Sequence, residues 1–516
     1  MKLLGTILRP ISLFILFLVT SASCQQGQNS DTTYDLLIRH ATVVDGTGAE
    51  AYTANVFVNA DTIALIEKDT AATYKATKTI DATGLVLTPG FIDTHAHGNP
   101  MQTPDFKNFL AMGITTITLG QDGFSPNEKD LSTWMDSVDA VKPAVNVALF
   151  AGHGTLRMLS GIGYDSIPTG QKLEGMEQLL AQAMDAGCYG LSTGLEYMPG
   201  YYASGEELNR LAKVVGQKNG LVMSHMRNED DAFVEASIKE LLAQGRYCPV
   251  HVSHMKVVFG KGAARAREIL QLLDSARASG TQVTADIYPY TASYTGIGIL
   301  FPDWALKPND YKKVLATKRK DLATYLRHRV NLRNGPEATL IGSGPYKGKT
   351  LAQVATERNK PFEDVLMDDI GPYGASGAYF VMNQELQETL LTDPHVMICT
   401  DGSPTMNHPR GFGTFAKVIQ HYVVAKKLLP LEEAIWKMTG LSAKTLGIEK
   451  RGTIQVGHKA DLLLFNPANV KETATFENPY QLATGFDYVL VNGHIAKENT
   501  DFMEARYGKM LRKTSR

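Results

Sequence analysis

At 516 residues the chain is several times the length of a ~150-residue domain, which excludes a small stapled scaffold and leaves several domains or one large barrel with additions. Lys+Arg 51 against Asp+Glu 53 gives a formal net charge of -2 with charge spread along the chain, so neither a basic nucleic-acid surface nor a disordered polyelectrolyte is indicated. Cys24, Cys188, Cys248 and Cys399 show no CxxC spacing and are too few for a disulfide framework.

In chain order, Lys2 and Arg9 precede an apolar run from Ile11 to Val19, then Ser21-Ala22-Ser23, the pattern of an export signal over residues 1–24. The run is well short of the ~20 apolar residues of a spanning helix. Cys24 is similar to the lipid-accepting cysteine of bacterial lipoproteins, and polar residues 25–33 would then form a tether. Short β segments with turn punctuation follow over 34–84, and glycine-separated strands return over 452–516, so one small β domain, a sandwich, is expected from both chain ends.

Between them, apolar strand runs alternate with amphipathic helices, the sequence form of parallel βα units. Eight strands are expected at 85–93, 114–119, 146–150, 189–192, 221–224, 250–253, 282–287 and 396–400, with helices such as 174–186, 206–218, 230–244 and 263–278. The fold class is therefore α/β, a (β/α)8 TIM-like barrel over 85–451. The interval after strand seven is too long for one crossover, so an insertion is expected between strands seven and eight, with a cap over 297–350.

Barrel enzymes build their sites at the C-terminal ends of the strands. Those ends carry His95-Ala96-His97, Gln121-Asp122-Gly123, His153, Glu196, His225, His254 with Lys256, Tyr288 with Tyr290, and Asp401. Imidazoles and carboxylates converging from separate strands suit a hydrolytic zinc-type centre, which needs several N/O ligands and an open position for water. An isolated HxH reads equally as two exposed loop histidines. Ser224-His225 and Ser253-His254 repeat one local form in register, which a lone core histidine would not explain. His153, in Gly152-His153-Gly154-Thr155, orients a loop or contacts substrate and is not read as a ligand.

The run Thr88-Pro89-Gly90-Phe91-Ile92-Asp93-Thr94-His95-Ala96-His97 resembles the opening of the amidohydrolase superfamily. Gly190-Leu191-Ser192-Thr193-Gly194-Leu195-Glu196-Tyr197, Ser224-His225-Met226-Arg227, Ser253-His254-Met255-Lys256, Tyr288-Pro289-Tyr290 and His408-Pro409-Arg410-Gly411-Phe412-Gly413 resemble the N-acyl-D-amino-acid deacylases, or D-aminoacylases, of that superfamily. The resemblance spans residues 34 to about 495. It implies Zn2+, one or two ions or another divalent metal, with His225 and His254 at the tight position, His95 and His97 at the weaker one, and Asp122 as a further ligand. It implies Asp401 as catalytic acid/base, Arg410 binding the substrate carboxylate, and Lys256, Tyr288 and Tyr197 as further substrate contacts. Glu196 is either a ligand or, preferably, a partner orienting a histidine, and His153 stands in the same outer layer.

Two departures from the family pattern stand out. Gln121-Asp122-Gly123 replaces an Asn-Cys-Gly turn, exchanging a thiolate for a harder, less zinc-selective carboxylate that can bridge two cations. Ser293-Tyr294-Thr295 replaces a Ser-Thr pair near the substrate carboxylate. The expected activity is metal-dependent hydrolysis of N-acyl-D-amino acids or small D-residue peptides. A dihydroorotase-like or dipeptidase activity remains an alternative on the same fold, and a non-catalytic surface lipoprotein is a third reading, opposed by the intact set of His95, His97, His225, His254 and Asp401. The expected partner is a small N-acyl amino acid or peptide, with no nucleic acid, in an exported protein that touches a membrane only through a lipid on Cys24.

Overall fold

The computed structural model describes residues 33–514; the export signal, Cys24 and most of the tether lie outside the described residues. Eight parallel strands form the barrel: Phe91–Asp93, Ile114–Leu119, Asn146–Leu149 continuing as Ala151–Gly152, Gly190–Gly194, Leu221–His225, Val250–Val252, Val283–Ile287 and Val396–Ile398. The ring closes between first and last strands, where Asp401 N–H donates to His95 C=O at 2.8 Å and His97 N–H to Gly402 C=O at 2.8 Å. These backbone bonds place two expected site histidines beside Asp401. The strands are almost wholly buried, as parallel strands covered by helices must be; most of their apolar side chains join those of the outer helices in one core, and Ile92, Ala148, Leu221 and Met223 belong to a second.

The first expected strand, 85–93, is two strands. Val86–Pro89 pairs in the β domain with Thr33–Val43 and Leu462–Phe465, and the chain enters the barrel only at Phe91. Gly90 makes the crossing: its N–H donates to Asp461 C=O, and a Cβ there would lie 2.2 Å from Thr115 Oγ1, so no other residue fits. Apolar residues on both sides of Thr88-Pro89-Gly90 conceal the change of sheet, because both short strands are largely buried. The four helices form at Gly170–Asp185, Gly205–Gln217, Val234–Gln244 and Gly262–Ala278. The third starts late because Asp230 and Asp231 bridge to Val258 instead.

The β domain draws on both ends of the described chain around its own apolar core of Ile38, Val43, Val56, Leu87, Leu462 and Leu464. It does not extend through the C-terminal tail. Met510 bridges Val147, and Lys513 N–H donates to Gly187 C=O, so the tail runs across the N-terminal ends of the barrel strands. The insertion is also wider than 297–350. Ser293–Gly296, Thr339–Ile341 and Ser376–Tyr379 form an antiparallel sheet packed with the helix Tyr311–Leu332 around a separate core containing Leu322, Leu326, Val330 and Ile341. Among the described residues no helix is long and apolar enough to cross a membrane.

Candidate metal centre and active site

Asp122 lies at the middle of the barrel mouth. Its Oδ1 is 3.2 Å from His95 Nε2, 3.1 Å from His254 Nε2 and 3.7 Å from His225 Nδ1, while Oδ2 is 3.5 Å from His97 Nε2. Asp401 Oδ1 is 3.1 Å from His97 Nε2 and 3.8 Å from His95 Nε2. Single ligand atoms of His95, Asp122, His254 and Asp401 fall within 4.8 Å of one another, as do those of His225, Glu229 and His254. Asp122 (φ 54°), His254 (φ 36°) and Asp401 (φ 46°) all have left-handed backbone, costing about 1–3 kcal/mol each for non-glycine residues, so the framework holds strained side chains pointing inward.

The donor set fits a cation better than it fits itself. Neither ring nitrogen of buried His95 makes an aligned hydrogen bond despite its proximity to Asp122. His225 Nδ1 and His254 Nε2 approach to 2.9 Å, two imidazole nitrogens facing each other where a metal ion would accept lone pairs. Burial holds His95 below the usual imidazole pKa, against the opposite pull of Asp122. Burial opposes ionisation of Asp122, but His95 and His254 outweigh it and keep the carboxyl well below its ordinary range.

A supporting layer fixes the rings. Glu196 Oε2 accepts from His225 Nε2 at 3.1 Å, which leaves Nδ1 as the coordinating atom, and Glu196 approaches none of the other site histidines within salt-bridge distance. Glu229, which sequence reasoning missed, accepts from Lys256 Nζ at 2.7 Å and lies 3.3 Å from His254 Nδ1. Two buried aspartates beneath the site were missed as well. Asp286 accepts from the His254 N–H and from Thr94 Oγ1 and lies 3.0 Å from His251 Nε2. Asp93 accepts from the N–H groups of His95 and Thr400, and burial pushes its carboxyl up to about 7. An acid inside an apolar strand, as in Phe91-Ile92-Asp93 and Ala285-Asp286-Ile287, was the available signal.

His153 is not in the metal cluster. Its Nε2 donates to Glu207 Oε1 at 2.7 Å, and Glu207 accepts twice from Arg157 Nη1. The helix it opens still serves the site, because Thr155 N–H donates to Gly123 C=O and pins the turn that presents Asp122.

Beside the cluster, Arg410, Lys256, Tyr288 and Ser293 line a narrow inner compartment with Asp401. Arg410 Nη1 is 2.8 Å from Asp401 Oδ2 but misaligned for a hydrogen bond, and Arg410 Nε, Tyr288 OH and Ser293 Oγ are likewise buried without a hydrogen-bond partner. The Arg410 guanidinium lies 4.7 Å over the Tyr288 ring. Tyr197 packs its ring 4.4 Å from that of His225, and its hydroxyl accepts from Thr295 Oγ1. A cavity of about 630 Å³ opens outward from His97, Asp122, Tyr197, Asp401 and Arg410 to the cap.

A model of the amidohydrolase family matches residues 360–496. The chain is 33% identical over 518 residues to a D-aminoacylase of Alcaligenes xylosoxydans xylosoxydans, covering 95% of this chain and 100% of that one. It is 32% identical over 485 residues to an N-acyl-D-glutamate deacylase of the same organism, covering 89% and 93%. The solved N-acyl-D-glutamate deacylase of Bordetella bronchiseptica, complexed with zinc and a phosphonate inhibitor that mimics the tetrahedral intermediate, superposes with TM-score 0.81 at 31% identity, covering 93% of this chain and 100% of that one.

Proposed function

The chain belongs to the D-aminoacylase (N-acyl-D-amino-acid deacylase) family of the amidohydrolase superfamily, and from that premise we propose how it acts: as a metal-dependent hydrolase that cleaves the amide bond of N-acyl-D-amino acids. The observation that carries the reading is the set of four orphaned buried polar atoms on Arg410, Tyr288 and Ser293 beside Asp401. An unsatisfied buried donor costs about 1–3 kcal/mol, and a free carboxylate with several lone pairs supplies the acceptors these donors lack. Arg410 offers a planar guanidinium for bidentate contact, and Lys256 adds a second cation.

His225 and His254 would hold one cation, His95 and His97 a second, with Asp122 between the two pairs. A divalent ion there supplies Lewis acidity, polarising the amide carbonyl and acidifying water at neutral pH. Asp401 accepts the proton of the attacking water and returns it to the leaving nitrogen, a role its position 3.1 Å from His97 Nε2 and beside Arg410 permits. Glu196 orients His225, Lys256, held by Glu229, meets His254 Nδ1 at 2.8 Å, and Tyr197 walls the site against His225. We also propose export, with a lipid on Cys24; the apolar run 11–19 and the small residues before Cys24 support it, and Cys24→Ala should move the protein from membrane to soluble fractions.

Elemental analysis together with a substrate panel tests the reading. Bound zinc and hydrolysis of N-acyl-D-amino acids in preference to N-acyl-L-amino acids, dihydroorotate and D-residue dipeptides are expected. Metal-stripped protein that works at the full rate would overturn it.

A further inference from the structure

The carboxylate site described above is assembled from two segments far apart in the chain. Tyr288 and Ser293 follow the seventh barrel strand, and Arg410 opens the helix Arg410–Lys417 after the eighth. Their orphaned atoms can share one carboxylate only if the two segments keep a fixed spacing. Arg410 Nη2 donates to Tyr294 C=O at 3.3 Å, a link at the far end of the side chain that leaves the backbone beneath it unfixed.

One buried side chain bonds the backbone of both segments. His408 is fully inaccessible; its Nδ1 accepts from the Arg410 N–H at 3.0 Å, and its Nε2 lies 3.1 Å from the C=O of Ala292, the residue before Ser293. These partners fix the tautomer, because a backbone N–H only donates and a carbonyl only accepts: the proton sits on Nε2 and Nδ1 keeps its lone pair. Burial, with the Arg410 charge adding to it, holds the imidazole well below its usual pKa. The Arg410 N–H stands at the start of its helix with no acceptor inside it, so the imidazole supplies what the helix cannot.

The ring is held in this pose from the β domain. Phe476 meets it edge to face at 4.8 Å, and Tyr290 does so at 5.5 Å, its hydroxyl donating to Glu472 at 2.6 Å. Phe476 and Glu472 belong to the loop between Leu462–Phe465 and Phe486–Val491, two paired strands of that domain. His408 itself lines neither the inner compartment nor the outer cavity.

We propose that His408 is a positioning residue: bonded to Arg410 on one side and to Ala292 on the other, it sets the distance between the guanidinium and the Tyr288 and Ser293 side of the carboxylate site. This rests on the deacylase reading above and goes beyond it, because carboxylate recognition then depends on a residue that contacts no substrate.

The test uses the zinc-loaded full chain and two substitutions that each keep half of the imidazole's bonding. His408→Asn places an oxygen near the position of Nδ1 and retains the acceptor for Arg410 N–H; His408→Gln places an NH2 group near Nε2 and retains the donor to Ala292. KM and kcat are read on N-acetyl-D-alanine and on its carboxamide. A misplacement of about 1 Å costs on the order of 100-fold, and lost uniform binding appears in KM rather than kcat. Each variant should therefore raise KM for the acid by about 10–100-fold with a smaller change in kcat, and lower the acid-to-amide preference by a similar factor. A merely structural histidine would reduce the fraction of active protein, lowering turnover of acid and amide alike at unchanged KM. Unchanged KM and an unchanged acid-to-amide ratio in both variants overturn the proposal and leave the deacylase reading intact; neither quantity depends on the active fraction, so a poorly folding variant still reports. If the wild type hydrolyses neither compound, the deacylase reading fails. Calorimetry with N-methylsulfonyl-D-alanine and its carboxamide, which have no acyl group to lose, then decides the role of His408: an acid-to-amide affinity ratio equal in wild type and both variants overturns it.

Discussion

Two buried histidine–carboxylate clusters sit side by side in this barrel, alike in composition and different in what completes them. In the first, His153, Arg157 and Glu207 satisfy one another: Glu207 accepts from both, and the remaining Arg157 donors reach Gly163 C=O and Asp165 C=O. One carboxylate meets one guanidinium, and only His153 Nδ1 is left without a partner. In the second, Asp122 and Asp401 stand among four histidines, imidazole nitrogens face each other at 2.9 Å, and His95 has no aligned partner at all. His95 and His153 are equally inaccessible, so burial does not separate the clusters. What separates them is whether the protein supplies the counter-charges or leaves them to a bound cation and a substrate.

The largest contrast should appear on mutating the second cluster. Asp401→Asn should lower kcat by about 10²–10⁴-fold, the typical worth of general acid–base catalysis, with metal content close to wild type. His225→Ala and His254→Ala should each lose the tight metal as well. Chelation should do the same reversibly and lower the midpoint, because an ion at 100 times its Kd stabilises the fold by about 2.7 kcal/mol. A metal-dependent midpoint that persists in His254→Ala would place the ion elsewhere.

The first cluster should respond in stability instead. Glu207→Gln leaves the buried Arg157 charge uncompensated, which costs about 3–5 kcal/mol, and should leave metal stoichiometry unchanged. Burial opposes ionisation of Glu207, yet His153 and Arg157 outweigh it and depress its pKa. A carboxyl lowered in the folded chain contributes stability that is complete above its unfolded value, about 4.3, and is lost as pH falls through the folded value. Denaturant titrations from pH 6 downward should therefore show an acid-side loss of stability in wild type that is shallower in Glu207→Gln; identical slopes would remove the pair from the stability account.

Between these extremes, Glu196→Gln should weaken metal binding by about 10–100-fold, the usual effect of removing a carboxylate that orients a ligating histidine, without abolishing it. Complete loss of metal would make Glu196 a ligand, the reading set aside on geometry. Competition with a metallochromic chelator measures the difference directly.

Much of this arrangement was legible in the sequence because barrel strands end where polar residues begin, and His95, His97, Asp122, His225, His254 and Asp401 all follow apolar runs of β length. What was not legible depends on partners distant in the chain. Glu229 directly precedes the helix expected from residue 230, among acids that suit a solvated helix start, and its role becomes visible only when the buried Lys256 and His254 are seen against it. The two strands hidden in 85–93 differ only in which sheet they join. The cap was signalled by length alone, since its short antiparallel strands around a separate core carry no βα rhythm.

The smallest expected effect is also the most discriminating about the second cluster. Asp122 stands where the family resemblance places a cysteine, and its two oxygens face different histidines, Oδ1 toward His95, His225 and His254 and Oδ2 toward His97. A carboxylate in that position can join two cations, and as a hard donor it discriminates less sharply for zinc than a thiolate does. Asp122→Cys should therefore retain both metal and activity within about tenfold while shifting metal preference toward softer ions. Loading the variant with Co2+ gives a readout independent of turnover: a thiolate ligand adds a sulfur-to-cobalt charge-transfer band in the near ultraviolet that the wild-type carboxylate cannot produce. Asp122→Ala, with no donor at all, should lose metal instead. A cobalt spectrum without that band in Asp122→Cys, together with full metal content in Asp122→Ala, would reduce Asp122 to a turn residue before Gly123 and leave the histidines to hold the ion alone.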